Sequence, residues 1–160
     1  MTSIVRFIEV FALGTWVGGI VFLSFVVAPG AFGTLGSRDQ AGMMVGYSLG
    51  RLHWIGIVLG LIYLASLAVD ARSIGSLVRP AALAVILMIG LTFFSQQFVT
   101  GRMAGLRQQM VSVDATPREN PLRVEFDRLH VWSVRIESAV LLIGLVGIFL
   151  TVRNISAPRV

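Results

Sequence analysis

The chain lacks cysteine and lysine altogether and has few charged residues of any kind. Without cysteine it can form no disulfide, no thiolate metal site and no cysteine nucleophile. Charged residues make up 13% of the 160 residues and hydrophobic residues make up 56%. An ordinary soluble domain has about 25% charged and about 45–50% apolar residues. The composition therefore excludes intrinsic disorder and is typical of a membrane protein.

The common catalytic and phosphate-binding signatures are also missing. The sequence has no GxSxG, no P-loop, no HExxH, and no GxGxxG that opens a helix after a strand. We therefore expect no catalytic residues and no enzyme activity. The net charge of +5 comes from 13 arginines scattered between apolar runs, without a basic cluster suited to nucleic acid. Arginines in the loops of a membrane protein, facing anionic headgroups, explain this charge better.

Four apolar runs have about the length that is needed to cross a bilayer, which is about 20 residues. They predict an all-α fold, a polytopic membrane protein whose four transmembrane helices form a bundle in a single domain over 1–160. The bilayer is then the first partner of the chain, and we expect the bacterial cytoplasmic membrane. Four crossings place both termini on the same side. The predicted spans are 7–28, 52–69, 81–99 and 129–152.

Two of the connections between these runs carry helical patterns of their own. Residues 37–50 begin with Ser37-Arg38-Asp39-Gln40, which matches a capping box, and predict a short amphipathic helix on the membrane surface. Residues 100–128 continue a helical spacing beyond the third span, and Asn120-Pro121 is a good helix start. We therefore predict an extended helical hairpin between spans three and four that projects beyond the bilayer.

Polar residues near one membrane face form the candidate ligand or metal site. The only two histidines, His53 and His130, open the second and fourth spans, which run in the same direction. Glu137 follows His130 on one helix face, about 10 Å further along, and an ionisable group inside a span is a functional candidate. The candidate residues are His53, His130, Glu137, Ser133, Gln96 and Gln97.

Two kinds of cofactor would suit this arrangement, and a third interpretation needs none. Two histidines on parallel helices could ligate a b-type haem. They could instead bind copper or zinc, with Glu137 as an oxygen ligand. Alternatively, the histidines are structural and hydrogen-bonded inside the bundle.

Small residues at helical spacing predict close helix packing. Gly14 and Gly18 form a GxxxG pattern in the first span, and Gly56 and Gly60 form another in the second. Small residues let helix backbones approach closely in lipid. We expect these faces to be exposed to lipid and to contact other membrane protein subunits or a second copy of the chain.

Three stretches together resemble a known family. The first span reads FALGTWVGG at 11–19, the third span ends in GRMAGLR at 101–107, and the fourth opens with FDRLHVWS at 126–133. The chain resembles the transmembrane-protein-205-like family over nearly its whole length. The bacterial members of that family are a four-helix domain of unknown function.

The most specific part of this resemblance is Phe-x-x-Leu-His-x-x-Ser at 126–133. Where the family often has an asparagine four residues later, this chain has Glu137, and Gly101 replaces a frequent proline after the third span. The resemblance implies a fold but no reaction. A eukaryotic relative is associated with resistance to platinum drugs, which suggests metal handling. The Trp-x-Gly-Gly stretch at 16–19 is also similar to the membrane domains of copper-resistance protein D.

Two functional interpretations follow from these observations. The first is a non-enzymatic integral membrane protein that serves as an accessory or scaffold subunit of a larger membrane assembly. The alternative is a metal-, haem- or small-molecule-binding or transport protein that uses the polar site near one membrane face. An inner pocket with access to water would favour the alternative. A histidine pair buried against serine or backbone carbonyls, with a large apolar outer face covered by another chain, would favour the first.

Overall fold

The computed structural model describes residues 3–71 and 74–156, which contain helices and short turns and no β-strand. Four continuous helical stretches in it are long and apolar enough to cross a membrane: Ser3–Thr34, Arg38–Val69, Pro80–Gln109 and Pro121–Arg153. The prediction of an all-α membrane protein with four spans is confirmed. Its α-helices are α1 (Ser3–Phe22), α2 (Ala28–Thr34), α3 (Arg38–Ala71), α4 (Pro80–Phe94), α5 (Gly101–Gln109) and α6 (Pro121–Ser156).

Among the described residues, two π-helical segments and one 3₁₀ turn connect some of these helices. Leu23–Val27 joins α1 to α2 within the first span, and Ser95–Thr100 joins α4 to α5 within the third. Ile74–Val78 is a 3₁₀ turn before α4. Pro29 does not end the first span, which continues to Thr34. A proline has no N–H for the helical ladder, and the wider π turn just before it lets the helix continue.

The helices pack as a square bundle. α1 contacts both α3 and α6, and α4 also contacts both α3 and α6, so α3 and α6 stand diagonally opposite each other. Large side chains from α1, α3, α4 and α6 fill the centre of the square. The most deeply buried of them are Leu13, Trp16, Ile20, Tyr63, Val85, Met88 and Val140.

Glycines on α3 determine how closely α1 and α3 approach. Gly56 and Gly60 are buried against the indole ring of Trp16. A Cβ atom at Gly60 would lie 2.8 Å from Trp16 Cζ3 and 2.9 Å from Ile89. The second GxxxG pattern therefore packs inside the bundle. The expectation that it faces lipid and other subunits was wrong for Gly56 and Gly60, because a ring of α1 already occupies that face.

The segment 37–50 is not a separate surface helix. Residues from Arg38 onward belong to the single helix α3, which has 34 residues and is therefore about 51 Å long. The hydrocarbon core is about 30 Å thick, so part of this helix extends beyond it. Ser37 caps the helix, since the N–H of Gln40 donates to its Oγ at 3.4 Å.

The connection between the third and fourth spans is a helical hairpin formed by α5, the turn 110–120 and the start of α6. A small apolar cluster lies inside it, and Asn120 caps α6 by accepting the N–H of Leu122 at 2.9 Å. The members of this cluster are Leu106, Met110, Val113 and Phe126.

Asp39, at the start of α3, binds the hairpin turn to the end of this helix. Its carboxylate accepts the hydroxyl of Ser112, the N–H of Val113 at 3.0 Å and the guanidinium of Arg107 at 3.3 Å. The same guanidinium lies 5.1 Å from the centre of the Phe126 ring. We call this set of contacts the Asp39 clasp. It joins the extended ends of α3, α5 and α6 into one cap on the bundle.

Candidate functional site

His53 lies at the centre of the bundle and connects three of the four spans. Its side chain on α3 is 1% exposed. Its Nδ1 lies 2.9 Å from Gln96 Oε1 in the π-helical segment, and its Nε2 lies 3.1 Å from Glu137 Oε2 on α6. Because α3 and α6 are diagonal partners, the contact between His53 and Glu137 crosses the middle of the square.

The residues predicted from the sequence separate into an inner group and an outer group. His53, Gln96 and Glu137 are in direct contact, and Ser133 is buried one turn before Glu137 on α6. The two remaining candidates are exposed: Gln97 and His130. The structure therefore brings together three candidates with Ser133 close by, and it leaves two outside.

The outward position of His130 has a cause in the first span. After the π-helical segment Leu23–Val27, α2 packs against α3, and no packing of α2 on α6 is found among the described residues. The face of α6 at the level of His130 is consequently left uncovered. Gln97 is exposed for a simpler reason, since the residue after Gln96 points about 100° away from it on a helix.

This geometry does not suit a haem or metal ion held by the two histidines. Both ring nitrogens of His53 already contact Gln96 and Glu137, whereas a metal needs a free nitrogen lone pair. His130 is exposed while His53 is buried. Among the residues that the structure describes, no group of three or more His, Cys, Asp or Glu side chains could hold a metal ion.

Two buried hydroxyl groups on the third span are not among the candidate residues predicted from the sequence. Thr92 and Ser95 are each 1% exposed, and within the described part of the chain neither side-chain oxygen has a hydrogen-bond partner. The signal was available, because Met88, Thr92, Ser95 and Val99 recur at helical spacing and all face the core.

A second buried polar group lies toward the other end of the bundle. The hydroxyl of Tyr63 on α3 lies 2.7 Å from Thr151 Oγ1 on α6, and the Thr151 hydroxyl lies 2.8 Å from the carbonyl oxygen of Gly147. Glu9 on α1 is also buried, at 2% exposed. Tyr63 is ten residues after His53, about 15 Å along α3, so the two polar groups are separate. Both tie α3 to its diagonal partner α6.

Exposed arginines surround the inner site at the edge of the bundle. Arg51 lies 5.2 Å from the centre of the Tyr47 ring, and Arg135 lies 5.6 Å from the centre of the Trp132 ring. Arginine and aromatic rings with one apolar and one polar end suit the headgroup level of a bilayer. These contacts are of the kind expected near a membrane surface, where the sequence predicts the site to lie.

The comparisons with known proteins give one match. The model of a family described as a domain of unknown function (DUF4149) matches residues 11–112. No curated protein and no solved structure matches the chain. The matched segment includes His53 and Gln96, whereas Ser133 and Glu137 lie beyond it.

Proposed function

Since this chain belongs to the DUF4149 family, whose function is unknown, we propose a role from its own geometry. We propose that it is a non-enzymatic integral membrane protein that serves as an accessory or scaffold subunit of a larger membrane assembly. We also propose that it resides in the bacterial cytoplasmic membrane with both termini on the same side. The likeness to the transmembrane-protein-205-like and copper-resistance protein D families suggests metal handling, but it supplies no ligand set for this chain.

One contrast between glycines carries the proposal. Gly56 and Gly60 are needed inside the bundle, where they make room for Trp16. Gly18 on α1 is exposed, and no described atom beyond its chain neighbours and the adjoining backbone of its own helix lies within 4 Å of the place where its Cβ would stand. Glycine lowers helix propensity by about 1 kcal/mol relative to alanine. The bundle itself does not use this small residue, whereas a closely packed helix of another subunit would.

Gly18 belongs to an exposed row on α1 that would form the contact surface, which we call the outer stripe. Its members recur at helical spacing, with a small residue and a threonine between aromatic rings that can pack around an incoming helix. The occupant that fits such a surface is a transmembrane helix, either from another membrane protein or from a second copy of this chain. The outer stripe consists of Phe11, Thr15, Gly18 and Phe22.

The interior supports the same interpretation. His53 is buried and hydrogen-bonded on both ring nitrogens to groups of the same chain. A satisfied buried polar network gives a membrane bundle a unique packing. In this proposal the hydrogen-bonded group around His53 holds the helices of the bundle together, and the outer face makes the contacts with other subunits.

Because the chain has no cysteine, a single introduced thiol allows crosslinking from one chosen position. Thr15→Cys on the outer stripe and Leu142→Cys on the exposed face of α6 each introduce the only thiol of the chain. Each variant is labelled in native membranes with a thiol-directed photo-crosslinker. We expect a discrete adduct from position 15, none from position 142, and loss of the adduct when Gly18→Ile is added. Equal adducts from both positions, or none from either, would contradict the proposal.

The mass of the adduct identifies the kind of partner, since a doubled mass means a second copy. The absorption spectrum and metal content of the protein purified from its native membrane test the alternative function. A Soret band or a stoichiometric metal that disappears in His53→Ala would favour a binding protein over an accessory subunit.

A further inference from the structure

We propose that His53 and Glu137 form a binding site for a single proton at the centre of the bundle, and that the amide of Gln96 must turn over when this proton leaves. The proposal concerns the interior of the bundle and goes beyond the docking role of the outer stripe. It rests on two contacts: His53 Nδ1 to Gln96 Oε1 at 2.9 Å, and His53 Nε2 to Glu137 Oε2 at 3.1 Å.

The number of protons in the observed arrangement follows from the chemistry of the three groups. An amide oxygen only accepts hydrogen bonds, so the Nδ1 of His53 carries a hydrogen. A carboxylate and a bare ring nitrogen also only accept, so the contact between Nε2 and Glu137 needs one further proton. That proton lies on either atom, as imidazolium with carboxylate or as imidazole with carboxylic acid. The net charge of the pair is zero in both cases.

Loss of the shared proton to water leaves the pair with one negative charge and an unavoidable conflict. If the remaining hydrogen stays on Nδ1, the bare Nε2 faces the carboxylate of Glu137. If it stands on Nε2, the bare Nδ1 faces the amide oxygen of Gln96. Turning the amide by 180° removes this conflict, because its NH₂ group then donates to Nδ1 while Nε2–H donates to Glu137. Proton release is therefore coupled to the orientation of Gln96.

The surroundings of Gln96 are suited to such a turn. Its two amide atoms lie at nearly equal distances from the place where a Cβ of Gly50 would stand, 3.8 Å for Oε1 and 3.9 Å for Nε2. Because Gly50 has no side chain, it presents the same surface to either orientation of the amide. Gln96 also stands in the π-helical segment Ser95–Thr100, and π turns inside α-helices occur frequently at functional sites.

Within the described part of the chain, the elements packed around the pair bring no other charged group into its interior. α1 and its π-helical segment present the buried apolar side chains of Ile20 and Leu23 at this end of the bundle, whereas Glu9 is seven residues before Trp16, toward the other end. The pair therefore gains or loses its proton in surroundings that carry no other charge among the described residues. The titratable and charged side chains on the neighbouring elements are exposed or belong to the cap: Asp39 and Arg51 on α3, Arg102 and Arg107 on α5, and Arg128, His130 and Arg135 on α6.

Two buried hydroxyls offer polar positions next to the site. In a helix such a hydroxyl commonly donates to the carbonyl one turn back, as Ser138 does to Val134 at 2.8 Å. Thr92 Oγ1 and Ser95 Oγ make no such bond within the described residues although both are buried. An unpaired buried hydroxyl is unfavourable. One of these hydroxyls belongs to the residue before Gln96 and the other to the residue one turn before it, so each has a hydrogen-bonding capacity that the described residues do not use.

Nitrogen NMR of the imidazole ring tests the proposal directly. The protein is labelled with ¹⁵N at histidine and glutamine, placed in lipid nanodiscs, and titrated from pH 5 to pH 9. With only two histidines in the chain, His130→Gln assigns both signals. As pH rises, we expect Nδ1 of His53 to change once from protonated to unprotonated. The side-chain amide signal of Gln96 should shift in the same step.

Substitution of the carboxylate gives the second arm. In Glu137→Gln the amide NH₂ group donates to Nε2 without a shared proton, so we expect Nδ1 to stay protonated over the whole pH range. Glu125→Gln should keep the wild-type step, since Glu125 is a partly exposed carboxylate on the same helix and pairs with Arg102.

Three results would overturn the proposal. The first is a wild-type His53 with Nδ1 protonated at every pH. The second is a His53 step without a simultaneous change at Gln96. The third is the same step in Glu137→Gln. If Glu137→Gln does not fold, the wild-type titration decides the matter alone.

Discussion

Gly56 lies so close to the indole ring of Trp16 that no larger residue fits between them without movement of α1 or α3. Both residues are buried, on neighbouring helices of the bundle. The pair shows how this fold achieves close packing: a large ring on one helix occupies the space that glycine leaves free on the next. In lipid, where apolar surface is not driven together by water, such contacts supply much of the association between helices.

The first prediction concerns this contact. Gly56→Ala is expected to lower the free energy of unfolding by about 1–3 kcal/mol, as overpacking of a core does, although alanine is the better helix former. The measurement is unfolding in mild detergent by heat or by a denaturing detergent. Gly18→Ala is the matched control, since its Cβ meets open space among the described residues. Equal stability of Gly56→Ala and the wild type would show that α1 and α3 have room to separate.

The second prediction separates the two histidines. His53→Ala removes a buried ring and leaves Gln96 and Glu137 without their partner, so we expect a loss of about 3 kcal/mol in unfolding free energy. His130→Ala alters an exposed side chain and should change stability by about 0.5 kcal/mol or less. The folded fraction in membranes and the unfolding curve in detergent measure both effects. Similar effects of the two substitutions would contradict the placement of His53 at the centre.

The third prediction concerns the Asp39 clasp. Asp39→Ala removes the acceptor for Ser112, Val113 and Arg107, and hydrogen bonds to a charged group contribute about 1.5–3 kcal/mol each. The change should open the turn 110–120 while the four-helix bundle stays folded. Amide hydrogen exchange at Val113 and limited proteolysis of the turn detect this opening. Glu119→Ala is the control, because Glu119 is an exposed acidic residue of the same turn and takes no part in the clasp. Unchanged exchange at Val113 would mean that the apolar cluster holds the turn without the clasp.

The fourth prediction concerns the far polar group. Tyr63→Phe removes the hydroxyl near Thr151, whose own hydroxyl remains within hydrogen-bond distance of Gly147. We expect a modest loss of about 0.5–1 kcal/mol, in the range of hydrogen bonds between membrane helices. A double-mutant cycle with Thr151→Val measures the coupling energy between the two residues. A coupling near zero would assign the stability of this region to apolar packing alone.

Most of the inner site was visible in the sequence, because ionisable and amide side chains are rare inside apolar runs. His53, Gln96, Glu137 and Ser133 were identified in this way. The position of His130 was not predictable, since it depends on how α2 turns toward α3 after the π-helical segment Leu23–Val27. The local sequence pattern predicted neither the π turn nor the direction that the helix takes after it.

The glycines illustrate the same limit. Gly18 and Gly56 each belong to a GxxxG pattern of their own span, yet Gly18 is exposed and Gly56 is buried against Trp16. In a soluble helix, polar residues would mark the outer face. In a bilayer both faces are apolar, so composition does not distinguish the face that packs from the face that contacts lipid.

The sequence by itself determined that this protein is a bundle of four membrane helices. A bilayer offers no water to hydrogen-bond the backbone, so four long apolar runs must form helices. Only the tertiary structure decided which side of each helix faces the centre. It placed His53 between Gln96 and Glu137, and it placed Gly56 against Trp16. These placements depend on the shapes of side chains on different helices and on the two π turns. The hydropathy of a single segment does not determine either of these features.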